Sequence, residues 1–144
     1  MKILFVCTGN TCRSPMAQVM AAKLFGGDFT VISAGLAAMP SAPASANAIT
    51  VMKERQIDLE NHRAQLVSED LIAGADLILT MTQSHKTSLK EAAPDKVYTV
   101  GEYANTEISI TDPFGGDIEV YRTCADEIYG LLLIIQNKLG EKVE

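Results

Sequence analysis

The order of apolar segments along the chain predicts an α/β fold, with a parallel sheet that carries helices on both faces. Short apolar runs typical of buried strands alternate with segments typical of helices, and this alternation implies βαβ units with right-handed crossovers. The 144 residues are 47% hydrophobic, which is enough for one globular domain with a substantial core. No internal repeat and no shift in composition divides the sequence, so we expect a single domain over residues 1–144.

The first strand and the first helix have the clearest local signals. The segment Lys2–Cys7 begins with a short, apolar, β-prone run of the kind that parallel sheets bury. A helix over Ser14–Phe25 is indicated by apolar residues at helical spacing. Ser14 is the expected N-cap, Pro15 the expected first helical residue, and Gly26-Gly27 the expected end.

The alternation of strands and helices continues along the rest of the chain. The other predicted strands are Phe29–Ser33, Leu77–Met81 and Lys96–Thr99. The other predicted helices are Ala46–Arg55, a short one near Ser68–Ala73, one over about Gln83–Ala92, and a long terminal helix over Ile118–Lys138. Between them, Met39–Ser45 is rich in proline, alanine and serine, and it is either a plain connector or part of a rim that faces the substrate.

The loop between the first strand and the first helix carries the chemistry that the sequence predicts. Five residues separate Cys7 from Arg13, which is enough chain to curl around one anion of phosphate size. In such a loop the backbone N–H groups converge, the next helix presents its positive end, and an arginine binds two phosphoryl oxygens. Gly9 and Asn10 tolerate the left-handed backbone angles that this requires. Cys7, at the carboxyl end of its strand, would then be a nucleophilic thiolate beside a bound phosphate.

Charge and composition argue against several other classes of protein. The net charge of −6 disfavours nucleic-acid and anionic-membrane partners. The N-terminal apolar run and the run Leu131–Ile135 are both far too short to cross a membrane. Three cysteines, an odd number, favour a reducing compartment over a disulfide framework. We therefore expect a cytoplasmic protein with no nucleic-acid or membrane partner.

Four motifs together resemble the low-molecular-weight protein tyrosine phosphatase family. Residues 6–15, with the sequence VCTGNTCRSP, resemble its active-site signature. The segments SAG at 33–35, NHRA at 61–64 and DPFGG at 112–116 occur where that family carries a supporting serine, a supporting histidine and a catalytic aspartate. Because the motifs span almost the whole chain, the resemblance covers the entire domain. Within the family, the sequence is most similar to the bacterial branch of protein arginine phosphatases.

The resemblance implies both a topology and an activity. The implied fold is flavodoxin-like, with four parallel strands in the order 2-1-3-4, an order that periodicity alone does not predict. The implied enzyme hydrolyses phosphorylated proteins through a phosphocysteine intermediate and releases inorganic phosphate. It needs no cofactor and no metal ion.

The resemblance also assigns roles to particular side chains. Cys7 corresponds to the nucleophile, Arg13 to the residue that binds the phosphoryl oxygens, and Asp112 to the general acid that later activates water as a base. The structural alternative is that Asp112-Pro113 is only a turn before the last helix. The expected substrate-binding residues are Thr8, Gly9, Asn10, Thr11, Cys12, Arg13, Ser14 and Phe114.

Further residues resemble the network that holds the family's phosphate loop. They are Asn10, Ser33 and His62, although without the resemblance His62 would be interpreted as a surface histidine in a turn. Ser14 is able to donate a hydrogen bond to a Cys7 thiolate in addition to capping its helix.

The remaining cysteines and the second histidine have weaker signals. Cys12 resembles a second loop cysteine that pairs reversibly with the nucleophile, and the competing interpretation is a small buried loop residue. Cys124 has apolar neighbours at helical spacing and is predicted to lie in the core. His85, between Ser84 and Lys86 in a polar helix start, is predicted to be solvated.

Thr11 distinguishes this sequence from tyrosine-directed members, which usually have Ile or Leu there, whereas members that act on phosphoarginine have Thr. A hydroxyl accepts hydrogen bonds from guanidinium N–H groups or orients a water, but it offers less apolar contact to a ring. Gly115 also follows Phe114 where tyrosine-directed members often have a second aromatic, and Leu36–Ala38 supplies none to the opposite rim. The prediction is therefore a protein arginine phosphatase, with a tyrosine phosphatase as the alternative.

Other proteins with a reactive loop cysteine fit less well. Thioredoxin-coupled arsenate reductases of the same fold need a further cysteine pair near residues 80–90, and Leu79–Lys90 contains none. A phosphocarrier would need neither the Asp112 acid nor an arginine fork, and a phosphoprotein-binding module would not need Cys7. The combination of nucleophile, fork and acid favours an enzyme.

Overall fold

Four parallel strands form one sheet in a computed structural model of the chain, which describes residues 1–143. The strands are β1 (Lys2–Cys7), β2 (Thr30–Gly35), β3 (Leu77–Thr80) and β4 (Val97–Thr99). Their order across the sheet is β2-β1-β3-β4, and every neighbouring pair is parallel. The predicted fold class and strand order are confirmed.

Six helices connect and cover the strands within the described residues. They are α1 (Arg13–Phe25), α2 (Ala46–Glu54), α3 (Glu69–Gly74), α4 (Gln83–Leu89), α5 (Val100–Tyr103) and α6 (Ile118–Val143). None of these helices is both long enough and apolar enough to cross a membrane. The terminal helix continues past the predicted end at Lys138.

The central strand β1 separates two apolar cores. Ile3 and Phe5 are fully buried in the larger core, which includes residues of α1, α2 and α6. Leu4 and Val6 are fully buried in the smaller core, which includes residues of α3 and α4. Successive strand side chains point to opposite faces, so an unbroken apolar run is what a strand covered on both faces requires.

The start of α1 differs from the prediction. Arg13 is the first helical residue and Cys12 occupies the N-cap position without a capping side chain. Ser14 therefore lies inside the first turn, and the prediction that it caps the helix is wrong. Its hydroxyl bonds to Cys7 and Asn10 instead. The predicted end is correct, because Gly26 follows the helix with a positive φ of 79°.

Helix α5 was not predicted from the sequence, although its start carries a recognisable signal. Thr99 and Glu102 form a reciprocal capping box, in which each side chain accepts a hydrogen bond from the other residue's backbone N–H. The helix comprises only four residues. A segment of one turn has too few positions to show helical periodicity.

The carboxyl ends of β1 and β2 hold the loop that joins β1 to α1. The Leu36 N–H donates to the carbonyl of Cys7 at 3.0 Å, and the Ala37 N–H donates to the carbonyl of Thr8 at 2.9 Å. At Gly35, a Cβ atom would lie 2.5 Å from the Thr8 carbonyl oxygen. Glycine at this position therefore lets the loop pack directly against the end of β2.

Candidate active site

The residues from Cys7 to Arg13 form a tight loop that we call the phosphate loop. Asn10 adopts the predicted left-handed conformation, with φ of 56°, whereas Gly9 does not have a positive φ. The left-handed residue of the loop is therefore Asn10 alone, and its side chain, which is fully buried, is fixed by the bonds described below. Both N–H groups of the Asn10 amide and its oxygen are hydrogen-bonded, and these bonds stabilise the left-handed conformation.

Two hydrogen bonds converge on the sulfur of Cys7, which is only 3% exposed. The Ser14 hydroxyl lies 2.9 Å from Sγ, and the backbone N–H of Asn10 donates to Sγ at 3.3 Å. The sulfur therefore accepts one backbone hydrogen bond and lies within hydrogen-bond distance of one hydroxyl.

The neighbouring amide bears on the direction of the bond between Ser14 and Cys7. The Gln65 backbone N–H donates to Asn10 Oδ1 at 3.0 Å, which fixes the orientation of the Asn10 amide. Asn10 Nδ2 then donates to the Ser14 hydroxyl at 2.9 Å. With one lone pair of Ser14 taken in this way, its hydroxyl proton is available to the sulfur at 2.9 Å, which is the direction that a Cys7 thiolate would require.

Ser33 and His62 hold Asn10 from two further sides. Asn10 Nδ2 also donates to the Ser33 hydroxyl at 2.9 Å, and that hydroxyl donates to Gln18 Oε1 at 2.6 Å. His62 Nε2 donates to the backbone carbonyl of Asn10 at 2.7 Å. Burial lowers the pKa of His62, whereas this hydrogen bond to Asn10 acts to raise it. The structure thus brings Asn10, Ser33 and His62 together around the phosphate loop.

Arg13 connects the phosphate loop to the segment that carries Asp112. Its guanidinium is buried, and Nη1 donates to the carbonyl of Ile110 at 2.9 Å. Nη2 lies 3.8 Å from Asp112 Oδ2. Ile110 is fully buried and its N–H donates to the carbonyl of Met81 at the end of β3. Asp112 is therefore held two residues beyond a rigid anchor.

The segment after Asp112 forms a tight turn. Pro113 is buried, the Gly116 N–H donates to the Pro113 carbonyl at 2.9 Å, and Gly115 has φ of 82°. A positive φ at the third residue of a turn favours glycine. The Asp112 carboxylate also accepts from the Phe114 N–H at 3.1 Å. One carboxylate oxygen is thus held by the turn, while the other faces Arg13.

The phosphate loop and the turn after Asp112 surround a cavity of about 220 Å³. Its lining residues are Cys7, Thr8, Gly9, Thr11, Cys12, Arg13, Asp112 and Phe114. The floor consists of the buried residues Cys7, Cys12 and Arg13. The mouth is formed by exposed groups, among them Phe114, which is 76% exposed, and the Asp112 carboxylate. A phosphoryl group would fit the floor, and its leaving group would lie at the mouth.

The other two cysteines differ in their surroundings. The sulfur of Cys12 lies 3.3 Å from the Tyr121 hydroxyl and donates to the Ser45 hydroxyl at 3.5 Å. Burial, followed by the bond to Cys12, raises the pKa of Tyr121 to about 12. Cys124 lies in the larger core as predicted, where burial raises the pKa of its thiol to about 12. Cys7 and Cys12 are both free, so their reversible pairing stays a prediction.

His85 is not solvated, and that prediction is wrong. The residue is only 6% exposed, and its Nε2 lies 2.9 Å from the Thr8 hydroxyl oxygen. Thr82 caps α4 by accepting from the His85 N–H, which places the imidazole in the first turn beside the phosphate loop. The polar neighbours Ser84 and Lys86 lie on the outer face of this helix, whereas His85 lies on its buried face.

Sequence reasoning also missed Gln65, Ile110 and Tyr121. Gln65 and Ile110 act through backbone groups, whose direction no side-chain pattern reveals. Tyr121 lies far from Cys12 in the sequence, and only the packing of α6 against α1 brings them together. Within residues 1–143, no cluster of three or more His, Cys, Asp or Glu side chains is arranged to hold a metal ion.

A cysteine on the floor of an anion-sized cavity, next to an arginine and opposite a carboxylate, is the arrangement of a cysteine-dependent phosphatase. Residues 2–144 match the low molecular weight phosphotyrosine protein phosphatase family. The chain belongs to this family, and the protein is a cysteine-based phosphatase of low molecular weight.

The relatives include proteins named as arginine phosphatases and proteins named as tyrosine phosphatases. The protein-arginine-phosphatase of Bacillus subtilis (strain 168) is 40% identical over 146 residues, covering 96% of this chain and 97% of that protein. The low molecular weight protein-tyrosine-phosphatase PtpB of Staphylococcus haemolyticus (strain JCSC1435) is 39% identical over 134 residues, covering 92% and 95%. Overall identity therefore does not discriminate between the two substrates.

A solved structure adds chemical detail for one relative. It is the arginine phosphatase YwlE as a cysteine-to-serine variant with a phosphorylated active-site serine. That structure matches this chain with a TM-score of 0.92 and 37% identity, over 97% of this chain and 96% of that one.

Proposed function

We propose that this phosphatase hydrolyses phosphoarginine in proteins, with Cys7 as nucleophile, Arg13 as phosphoryl-binding residue and Asp112 as general acid and base. The observation that carries the choice of substrate is the wall of the cavity, where Thr11 presents a hydroxyl. The three cysteines, Cys7, Cys12 and Cys124, are all free, which suits a reducing compartment, so we also propose a cytoplasmic location.

In the first step, the Cys7 thiolate attacks phosphorus. The new S–P bond forms as the P–N bond to the substrate arginine breaks, and the departing guanidino nitrogen takes a proton from Asp112. Arg13 and the loop N–H groups stabilise the negative charge on the equatorial oxygens. The bond from Arg13 to the Ile110 carbonyl supports this role, because it holds the guanidinium in place before substrate arrives.

In the second step, water attacks the phosphocysteine. Asp112, now a carboxylate, takes a proton from that water, the S–P bond breaks, and inorganic phosphate leaves. Cys7 departs as a thiolate that again accepts hydrogen bonds from Ser14 and from the Asn10 N–H. The phosphorylated serine in the YwlE variant supports a covalent intermediate at the matching position.

The polar wall favours a guanidinium over an aryl ring as leaving group. Thr8 and Thr11 both line the cavity, and Phe114 is the only aromatic residue among the described lining residues. Hydroxyl oxygens accept hydrogen bonds from guanidinium N–H groups, whereas a ring gains more from apolar walls. The 40% identity to a protein-arginine-phosphatase agrees with this choice.

A tyrosine phosphatase is the second candidate, and Phe114 is the observation in its favour. This ring is 76% exposed at the mouth of the cavity, where it could stack on the ring of a phosphotyrosine. The 39% identity to PtpB also agrees with this candidate.

One assay decides between the two substrates. A peptide phosphorylated on arginine is compared with the same peptide carrying phosphotyrosine at that position, and kcat/KM is measured by phosphate release. We expect the higher kcat/KM with phosphoarginine. A higher value with phosphotyrosine would contradict the proposed substrate and leave the phosphatase assignment intact.

A further inference from the structure

The phosphatase reaction as described makes no use of His85, although this residue contacts the phosphate loop. Its Nε2 and the Thr8 hydroxyl oxygen are 2.9 Å apart. Its Nδ1 is buried and has no hydrogen-bond partner among the described residues. A buried imidazole with one unused nitrogen is uncommon, because most buried polar atoms are paired. Its presence beside the cavity therefore requires a reason.

The protonation of His85 determines what the Thr8 hydroxyl can do. Burial lowers the pKa of His85 to about 4, and the charge of Arg13 lowers it further while that of Asp112 opposes the shift. The imidazole is therefore neutral near pH 7 and has one N–H. Because Nδ1 has no partner and buried donors are rarely left unpaired, we assign the proton to Nε2, which lies against the Thr8 hydroxyl. His85 then donates to Thr8, and the Thr8 oxygen is the acceptor.

This bond fixes the Thr8 side chain at the mouth of the cavity. Thr8 is exposed and lines the cavity, whereas His85 lies behind it and does not. With one lone pair taken by His85, the Thr8 hydroxyl keeps a proton and a second lone pair for the substrate. A guanidinium can donate to that lone pair and a phosphoryl oxygen can accept that proton. The phosphoryl oxygen is common to both substrates, whereas an aryl ring has no N–H to donate to that lone pair, so the contact with the guanidinium is the one that discriminates.

We propose that His85 is a positioning residue for specificity, which holds the Thr8 hydroxyl against the leaving group and so favours phosphoarginine over phosphotyrosine. This inference rests on the proposed function for the identity of the preferred leaving group. The pairing of His85 with Thr8 is a separate claim, which depends only on the contact between the two side chains.

The test is a double-mutant cycle read on two substrates. Thr8→Val, His85→Ala and the double variant are compared with the wild type, using kcat/KM for the phosphoarginine and phosphotyrosine peptides. We expect Thr8→Val to lower the ratio of phosphoarginine to phosphotyrosine kcat/KM about tenfold, which is the size of one lost hydrogen bond to a charged group. His85→Ala is expected to lower it by a similar factor. Adding His85→Ala to Thr8→Val is expected to change it no further.

Two controls separate positioning from a general loss of packing. His85→Gln places an amide N–H near the position of Nε2, so it is expected to restore the ratio that His85→Ala lowers. Ser84→Ala, at an exposed neighbour in the same turn, is expected to leave the ratio unchanged. The ratio is insensitive to the fraction of folded enzyme, because both substrates are measured on the same sample.

The outcomes for the two proposals can be told apart. The wild-type ratio alone tests whether phosphoarginine is the preferred substrate. The positioning role is overturned if Thr8→Val leaves the ratio unchanged, if the His85 and Thr8 effects add fully, or if His85→Gln behaves like His85→Ala. A wild type that prefers phosphotyrosine, with a non-additive cycle, would retain the positioning role and reject the proposed substrate.

Discussion

The sulfur of Cys7 lies at the end of a chain of hydrogen bonds. The chain runs from the Gln65 N–H through the Asn10 amide and the Ser14 hydroxyl to Sγ. Gln65 donates to Asn10 and Asn10 donates to Ser14, so the Ser14 hydroxyl proton is available to the sulfur before substrate binds. Preorganised donors of this kind need no rearrangement during the reaction.

Replacement of this sulfur tests the covalent step. In Cys7→Ser we expect turnover to be lost, because a serine hydroxyl is a weaker nucleophile and because the serine alkoxide is a poor leaving group when water attacks a phosphoserine. Anion binding should remain, because Arg13 and the loop N–H groups are unchanged. The measurement is phosphate release together with binding of inorganic phosphate by calorimetry. Cys124→Ala is the matched control, and steady turnover by Cys7→Ser would reject the phosphocysteine.

Asp112 is expected to matter in proportion to the difficulty of the leaving group. Asp112→Asn cannot donate a proton, so with poor leaving groups we expect kcat to fall by about 10²- to 10⁴-fold. The leaving group of a dinitrophenyl phosphate needs little protonation, so with this substrate Asp112→Asn should lower the rate of the first step only slightly. Pre-steady-state release of the leaving group measures this step. The control is Asp117→Asn, which removes a nearby exposed carboxylate, and equal losses across the leaving groups would remove Asp112 from the acid role.

Thr11 is expected to influence the choice of substrate directly. Thr11→Ile replaces a hydroxyl on the cavity wall with an apolar group, so it should raise phosphotyrosine kcat/KM relative to phosphoarginine. A lost hydrogen bond to a charged group is worth roughly 1.5–3 kcal/mol, or about one to two powers of ten in that ratio. Thr11→Ser keeps the hydroxyl and serves as the control. An unchanged ratio in Thr11→Ile would favour the tyrosine phosphatase.

Among the individual residues, those that belong to local motifs could be predicted from the sequence. Cys7 and Arg13 share one loop, and Asp112 precedes a proline and two glycines, so their residue types and spacing are visible in the sequence. His85 was misinterpreted because its neighbours are polar, and burial by the phosphate loop is a tertiary effect. Ser14 has the residue type of an N-cap, but its hydroxyl contacts the sulfur of Cys7 instead of capping the helix.

Among the elements, the junction of the phosphate loop with β2 places the strictest steric limit on the site. The loop backbone approaches Gly35 so closely that a Cβ there would lie 2.5 Å from the Thr8 carbonyl oxygen and 2.9 Å from the Asn10 nitrogen. Neither backbone atom can move without shifting the loop. The position of Cys7, the proposed nucleophile, therefore depends on a residue with no side chain.

The consequence is a prediction for one added methyl group. Gly35→Ala should lower the free energy of unfolding by about 1–3 kcal/mol, as overpacking does, and should lower kcat/KM by displacing the loop. Gly130→Ala in α6 is the matched control, because a Cβ there meets nothing within 4 Å and alanine favours a helix by roughly 0.5–1 kcal/mol. Chemical denaturation and steady-state assays measure both effects. Wild-type activity in Gly35→Ala would show that the loop tolerates displacement.

The strands could be predicted from sequence more securely than the helix ends. β1 and β3 are apolar runs buried on both faces, a pattern that any parallel sheet requires. Which strands are neighbours is not encoded in those runs, and the order came from the resemblance to a family. The start of α1 shifted by one residue because the chain enters it directly from a loop held by tertiary hydrogen bonds.

Across the whole molecule, the two cores flank the sheet, and the phosphate loop crosses its carboxyl edge. His85 comes from a helix whose Leu89 lies in the smaller core, whereas Arg13 comes from a helix buried in the larger core. The residues that line the cavity and those that support it thus come from elements on opposite faces of the sheet. Protonation of His85, on one face, should therefore be linked to the stability of the entire fold.

The sign of this linkage gives a prediction for the pH dependence of stability. Burial lowers the pKa of His85 from 6.5 to about 4 in the folded state, so the unfolded chain binds a proton at a higher pH than the folded chain does. The stabilising contribution is complete above about pH 6.5 and is lost as pH falls toward 4. His62, whose pKa is also lowered by burial, contributes in the same direction. His85→Gln removes the first of these contributions.

We therefore expect the free energy of unfolding of the wild type to fall more steeply between pH 7 and pH 4 than that of His85→Gln, by on the order of 2 kcal/mol. Urea unfolding at several pH values measures both curves, and the difference between them cancels the carboxylates and His62 that titrate in the same range. Ser84→Ala, in the same turn, should follow the wild-type curve. Parallel curves for the wild type and His85→Gln would show that the imidazole is not held neutral by burial, and the assignment of its proton to Nε2 would lose its basis.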